Sequence, residues 1–320
     1  MERFGWKGNG TPKCVRRLSN FAASAAILAT LALGQDAAIQ DQVIRVDVRL
    51  VRVLTTVREA AGSLLGSLGK EDFSILDNGV PQPLSVFERR TEQPLSVALL
   101  VDTSGSTASN LKYETDSMVR FLRALFAEGN PEDSVALYSF NYQVTKETPF
   151  VRNQGRLEQR LRALHGEAGT ALYDAIYLTS GELDRRKGRR VMLIVTDGGD
   201  TFSSKQYKDA LEAAQLADAV IYPVLVIPIA AAVGRNTGGE HALTTLARGT
   251  GGRVFEPTLG HALDTAFADI LKELRTQYLL GYYPRDIPLT KERFHRLEVR
   301  VNQPGLQVIS RNGYYGESTR

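Results

Sequence analysis

Leu95-Ser96-Val97-Ala98-Leu99-Leu100-Val101-Asp102-Thr103-Ser104-Gly105-Ser106 is an apolar run of strand length behind Pro94 that opens into a Ser/Thr/Gly loop. Unbroken apolarity over that length marks a strand covered on both faces, as in a parallel sheet between layers of helices. The loop after such a strand is where open α/β sheets place ligands, because neighbouring loops diverge there and helix N-termini point inward. Here it offers Asp102, Ser104 and Ser106, three oxygen side chains in five residues, which suit a hard cation.

A second run of this type, Val191-Met192-Leu193-Ile194-Val195, ends at Thr196-Asp197-Gly198-Gly199-Asp200. Between the two lies His165-Gly166-Glu167-Ala168-Gly169-Thr170, a glycine-bearing loop with Thr170 at the mouth of a helix. Helical spacing recurs at Met118, Phe121, Leu122 and Leu125, then at Leu157, Leu161 and Leu164, at Leu172, Ala175 and Ile176, and at Leu263, Phe267, Ile270 and Leu274. Strands are expected at 134–140 and 220–226, with a hairpin partner near 141–148 and a short strand at Val254. The alternation predicts a doubly wound, mostly parallel, Rossmann-like α/β sheet. Three loops on one sheet edge would then bring together Asp102, Ser104, Ser106, Thr170 and Asp197. Mg²⁺ accepts such a near-octahedral oxygen set. Hydroxyls are neutral, so the ion would keep surplus positive charge for an acidic group on a partner.

Both flanks are different. Ile44, Val46, Val48 and Leu50 alternate with Arg45, Asp47 and Arg49, and the phase slips at Val51 as at a β-bulge. Phe73 and Ile75 lead to the hairpin signal Asp77-Asn78-Gly79, with Leu84 and Val86 returning. Near the other end Leu297, Val299 and Val301 alternate with Glu298 and Arg300, turn at Asn302-Gln303-Pro304-Gly305, and return through Leu306 and Val308. Each flank alone has too few strands to cover a core. They are expected to pair into one small β-sandwich with the α/β domain inserted between them; two separate β appendages are the alternative. The resulting division is a leader at 1–34, an N-terminal β segment at 35–93, the α/β domain at 94–275 and a C-terminal β segment at 276–320.

The 320 residues carry 39 basic and 36 acidic side chains. Arg3, Lys7, Lys13, Arg16 and Arg17 precede an apolar core from Phe21 to Leu33, with Ala32 and Gly34 spaced for cleavage before Gln35, the pattern of a secretory leader. Without residues 1–34 the chain has 34 basic against 35 acidic residues, so the basicity belongs to the leader and indicates no nucleic-acid partner. Export to the periplasm, envelope or medium is expected, with membrane attachment only through an uncleaved N-terminal segment. Cys14 is the single cysteine and lies in the leader, which excludes disulfides and cysteine-ligated zinc from the mature chain.

Asp102-Thr103-Ser104-Gly105-Ser106, Gly169-Thr170 before a helix, and Thr196-Asp197-Gly198 after a buried strand resemble the metal-ion-dependent adhesion site of von Willebrand factor type A domains, over about residues 94–275. The flanks, with Glu71-Asp72-Phe73, Asp77-Asn78-Gly79 and Arg311-Asn312-Gly313-Tyr314, resemble the von Willebrand factor A-related secreted proteins of Acidobacteria. The resemblance implies that Ser104, Ser106 and Thr170 touch a divalent cation through their hydroxyls, with Asp102 and Asp197 binding directly or through water. Mg²⁺ is the first choice, with Mn²⁺ or Ca²⁺ as alternatives. It also implies a protein ligand presenting Asp or Glu, and a last helix, near 259–278, that shifts between affinity states.

An aspartic hydrolase is the competing enzyme class, since Asp102-Thr103-Ser104 is superficially similar to its catalytic loop. Ser104 stands where that turn needs Gly, and the α/β periodicity is wrong for it. No nucleophile with an adjacent base appears, and His165, His241, His261 and His295 lack metal-ligand spacing. A non-enzymatic binding module is therefore expected, with a structural subunit of an envelope assembly as the alternative. The run Arg185-Arg186-Lys187-Gly188-Arg189-Arg190 is expected to be a solvated turn capped by Gly188.

Overall fold

The computed structural model describes residues 50–89, 92–107, 110–226, 237–287 and 293–316. The expected leader and the alternating stretch before Leu50 lie outside them. Among the described residues no helix is long and apolar enough to cross a membrane.

The first strands are β1 (Val51–Glu59), β2 (Phe73–Asp77), β3 (Val80–Gln82) and β4 (Val86–Arg89). The α/β part runs β5 (Leu95–Asp102), α1 (Leu111–Glu128), β6 (Ser134–Phe140), β7 (Val144–Val151), α2 (Gln154–Arg162), α3 (Leu172–Asp184), β8 (Arg189–Thr196), α4 (Tyr207–Leu216), β9 (Ala219–Leu225), α5 (Thr237–Thr250) and α6 (His261–Thr276). It closes with β10 (Tyr278–Tyr282), β11 (Phe294–Val301), β12 (Leu306–Ser310) and β13 (Gly313–Tyr315).

One five-stranded sheet has the order β7-β6-β5-β8-β9, parallel except for the antiparallel edge strand β7. β5 sits at its centre with all eight residues buried, which is why its sequence is apolar without alternation. Side chains still alternate across the sheet. Val97, Leu99 and Val101 face the cluster that includes Leu122 of α1, Leu161 of α2 and Phe267 of α6. Ala98 and Leu100 face Ile176 of α3, Ala214 of α4 and Leu246 of α5. The expected short strand at Val254 is reduced to a single bridge between Phe255 and Val224.

The flanks build two four-stranded sheets, β12-β1-β10-β4 and β13-β11-β2-β3, each mixing strands from before and after the α/β part. β1 pairs with β10 and β12, β10 with β4, and β2 with β11. Neither flank completes a four-stranded sheet without the other, and their shared core holds Val53, Ile75, Leu280 and Val299. Tyr278 and Tyr282 are buried there, the first packed on Phe73 with ring centroids 4.9 Å apart. One carboxylate, Asp77, is fully buried in this sandwich. It accepts hydrogen bonds from the hydroxyls of Tyr282 at 2.6 Å and Tyr314 at 2.8 Å, and His295 Nδ1 lies 3.2 Å away.

The sandwich is tied to the α/β part at the end of the sheet where β5 and β8 begin. Glu273 of α6, fully buried, accepts from Arg58 of β1 at 3.3 Å, Arg253 at 2.9 Å and the Tyr222 hydroxyl of β9 at 3.1 Å. Gln277 donates to the Tyr222 hydroxyl at 3.0 Å. The Arg185–Arg190 run departs from the solvated turn expected of it. Arg186 donates to Ser96 and Ser134 and lies over the Phe150 ring, Arg189 is buried and bonded to the carbonyls of Gln93 and Leu274, and Arg190 donates to the Ala217 carbonyl. Only the residues on either side of Arg186, Arg185 and Lys187, are exposed, because strand starts that converge below the sheet leave carbonyls that need donors.

Removing the Glu273 carboxylate would leave a buried hydroxyl and two guanidinium groups without their acceptor. Glu273→Ala is expected to lower stability by about 3 kcal/mol in urea denaturation. A change below about 0.5 kcal/mol would show that the network does not hold the two parts together.

Candidate metal centre

Asp102 is the last residue of β5, and parallel pairing sets Val101 beside Val195 of β8. The two strands therefore end level, and the chain emerges as Asp102 from one and Thr196-Asp197 from the other. Asp102 is fully buried; Oδ2 accepts the Thr196 hydroxyl at 2.6 Å and Oδ1 accepts the Ser104 amide at 2.8 Å. Thr107 folds the loop back by donating its hydroxyl to the carbonyls of Asp102 at 3.0 Å and Ser104 at 2.9 Å. In the resulting turn the hydroxyls of buried Ser104 and exposed Ser106 lie 3.1 Å apart.

The middle loop is fastened to the first. The Glu167 amide donates to the Thr103 carbonyl at 2.8 Å, and Ala171 N–H donates to the Asn141 carbonyl at 2.6 Å. Gly169 has φ +87°, and a Cβ there would come within 3.0 Å of Tyr142 Cβ, so this close approach requires glycine. Thr170 does not cap α3 with its side chain. The N-cap residue is Ala171, and the first amides of α3 are served from the third loop, Tyr173 N–H by Asp200 at 3.2 Å and Asp174 N–H by Ser203 at 3.0 Å. The Thr170 carbonyl accepts Thr201 N–H at 2.9 Å and Phe202 N–H at 3.0 Å. Asp200 is thus a structural capping group. Asp197, half-buried, lies close enough to Asp102 to press on its ionisation.

The structure therefore places Asp102, Ser104 and Ser106 in one turn, Asp197 beside that turn, and Thr170 on the loop that bridges the first loop and the third. Among the described residues no group of three or more His, Cys, Asp and Glu has metal-binding spacing. Any cation held here would depend on hydroxyls together with two carboxylates, which fits a hard, oxygen-seeking divalent ion and not zinc or copper.

One acidic residue at this edge has no counterpart in the sequence reading. Glu114 lies in the first turn of α1, buried, with Oε2 reaching no hydrogen-bond partner. Burial first, then the charges of Asp102 and Asp197, push its carboxyl up to about 8. Burial also pushes Asp102 up to about 6, against the opposing hydrogen bonds from Thr196 and Ser104. A legible signal existed: Glu114 falls three residues after Leu111 and four before Met118, on the apolar stripe of α1 where a charged side chain is out of place.

The native state thus binds protons that the unfolded chain releases. For Glu114 the window runs from the ordinary 4.5 to about 8. Stability of the metal-free protein is expected to fall as pH rises through that window, by up to ~1.4 kcal/mol per unit for one group. Glu114→Gln, which keeps the shape and removes the ionisation, should flatten the profile in urea denaturation at stepped pH. An unchanged slope would show that Glu114 is not the titrating group.

Residues 97–199 match the family model of the von Willebrand factor type A domain. No curated protein matches the sequence. Similar solved structures include the vWF domain of the type V pili tip protein Mfa5 from Porphyromonas gingivalis, at 13% identity and TM-score 0.47, covering 56% of this chain and 94% of that one. The conserved hypothetical protein BatB from Bacteroides thetaiotaomicron is 16% identical with TM-score 0.46, covering 56% of this chain and 97% of that one. The pilus adhesin SpaC from Lactobacillus rhamnosus GG, in its open conformation, is 11% identical with TM-score 0.48, covering 82% of this chain and 41% of that one. The matched stretch carries four of the five strands of the central sheet, β5 to β8, and the loops between them, and the domain built on that sheet has the von Willebrand factor type A fold.

Proposed function

We propose that this chain is an exported, non-enzymatic binding module that captures an acidic group of a protein partner through a divalent cation, most readily Mg²⁺. Asp102, Ser104, Ser106, Thr170 and Asp197 are the residues that would hold the ion. The observation that carries this reading is the turn itself: a buried carboxylate fixed by Thr196 and Ser104 stands beside two hydroxyls 3.1 Å apart, with Asp197 on the neighbouring strand end. The chemistry follows from the donor set. Three neutral hydroxyls and two carboxylates leave a divalent ion short of anionic ligands, and a partner's Asp or Glu supplies one. The hydroxyl bonded to a carboxylate here, Thr196 on Asp102, is buried and also accepts Gly198 N–H, which supports binding over hydrolysis.

Calorimetric titration of Mg²⁺ and Mn²⁺ into the metal-stripped protein is expected to show one site, weakened at least tenfold in Asp102→Ala and in Thr170→Ala. Because burial holds the Asp102 proton up to about 6, Mg²⁺ affinity is expected to fall about tenfold per pH unit below that value, as one proton must leave for each ion bound. Wild-type protein that takes up neither ion would remove the metal reading and favour a structural role in an envelope assembly.

A further inference from the structure

Two exposed aromatic side chains stand at the rim of the metal centre on loops that hold Thr170. Tyr142 follows Asn141, whose carbonyl accepts Ala171 N–H, and its own Cβ lies against the Gly169 position. Phe202 donates its backbone N–H to the Thr170 carbonyl. The rings are 45% and 60% exposed, and they meet edge to face with centroids 6.3 Å apart at 80°.

A single exposed aromatic needs no explanation. This pair differs in two respects. Each ring limits the rotamers of the other, so the surface is arranged in advance and little side-chain freedom remains to be lost on contact. Both rings are also anchored through main-chain contacts to the loop carrying a proposed metal ligand, so their position relative to the ion is set by the same hydrogen bonds that set Thr170. The nearby carboxylates are occupied: Asp200 accepts from Tyr173 N–H and Ser203, and Asp174 accepts from the amides of Ser204 and Lys205. That leaves the aromatic faces, together with the exposed Glu167 that lies 3.7 Å from His165, as the rim's recognition chemistry.

We infer that the partner segment presents an acidic residue next to a large apolar or aromatic one, the acid completing the metal's coordination and its neighbour packing on the Tyr142–Phe202 pair. The inference rests on the metal-centre reading above and adds the partner's chemical class. The carboxylate–metal contact is common to every acidic segment, while aromatic surface buried on binding contributes strongly to interface energetics. Selectivity among acidic segments would therefore lie in the neighbour and not in the acid. A uronate-bearing polysaccharide, which also joins a carboxylate to a ring-stacking face, is the competing ligand class. A protein segment is favoured because two rings crossed at 80° share no single flat face of the kind a sugar ring stacks on.

The test is selection from a random heptapeptide phage library with a central Asp fixed, on the immobilised full chain, in Mg²⁺ and in EDTA. Expected with Mg²⁺ is enrichment of Phe, Tyr, Trp, Leu or Ile within two positions of the Asp, with none in EDTA. The selected peptide, made synthetically, should bind the Tyr142→Ala/Phe202→Ala double variant at least tenfold more weakly. The single Phe202→Ser variant, at an exposed position, should retain the fold and show a partial loss. Mg²⁺ titration of both variants should match wild type. A library that yields no apolar neighbour while Mg²⁺ still binds overturns the inference and spares the metal reading. So does a peptide whose affinity survives the double substitution, or competition by oligogalacturonate at lower concentration than by the peptide. Failure of Mg²⁺ to bind wild type removes both.

Discussion

The hydrogen bond from the Thr196 hydroxyl to Asp102, 2.6 Å long and out of solvent, joins the ends of the two central strands. Thr196 also accepts Gly198 N–H at 3.1 Å, so one hydroxyl settles both the carboxylate of the first loop and the backbone of the third. Gly198, at φ +112°, turns the chain there so that its backbone meets the start of α5 at Gly239. A buried carboxylate without such donors would be neutral or absent. Asp102 is tolerated because two donors reach it, the Ser104 amide from its own loop and the Thr196 hydroxyl, which reaches it only if β5 and β8 pair in this register. Sheet register, loop conformation and the ionic state of the site are therefore a single constraint.

The opposite end of the sheet is held by a different polar network. Glu273 links α6 to β1 and β9, and the Arg189 guanidinium is bonded to the Leu274 carbonyl. The last turns of α6 are thus fixed to the sandwich, whereas its first half is held by Phe267 packing at a tilt on Phe121, ring centroids 5.4 Å apart, and by the exposed Arg120–Asp264 pair at 2.8 Å. Exposed pairs contribute less than about 1 kcal/mol, and buried ones cost several when broken. Sliding of this helix along its axis, the kind of shift the family resemblance implies, would have to break Glu273 from its partners. Movement confined to the half before Phe267 would not.

What the sequence made legible follows from periodicity. The two apolar runs ending in Asp102 and Thr196 announced central strands, and the alternating flanks announced half-buried ones that lacked partners. Both are one-dimensional signals, readable without knowing what packs where. Glu273, Arg186, Arg189 and the capping role of Asp200 were not readable, because a buried polar residue is defined by a partner remote in the chain. Glu273 meets Arg58 215 residues away. The basic run reads as a solvated turn for the same reason: its acceptors are carbonyls and hydroxyls contributed by Gln93, Ser96, Ser134, Ala217 and Leu274, and none of these is adjacent to it in sequence. Thr170 was placed at a helix mouth, which holds, but the capping chemistry belongs to a loop 30 residues later.

Glu114 bears on how such a site would work. Near neutral pH its buried carboxyl is mainly protonated, so the site presents two carboxylates and not three. A third negative charge at this edge would lessen the cation's need for an anionic ligand from outside, and would stabilise the loaded site without a partner. In the metal-free protein neutral Glu114 can donate a hydrogen bond but adds no charge, whereas a divalent cation bound beside Asp102 and Asp197 would favour its ionised form. The acid on the apolar stripe of α1, costly for folding if ionised, therefore couples the stability of this edge to the charge held beside it.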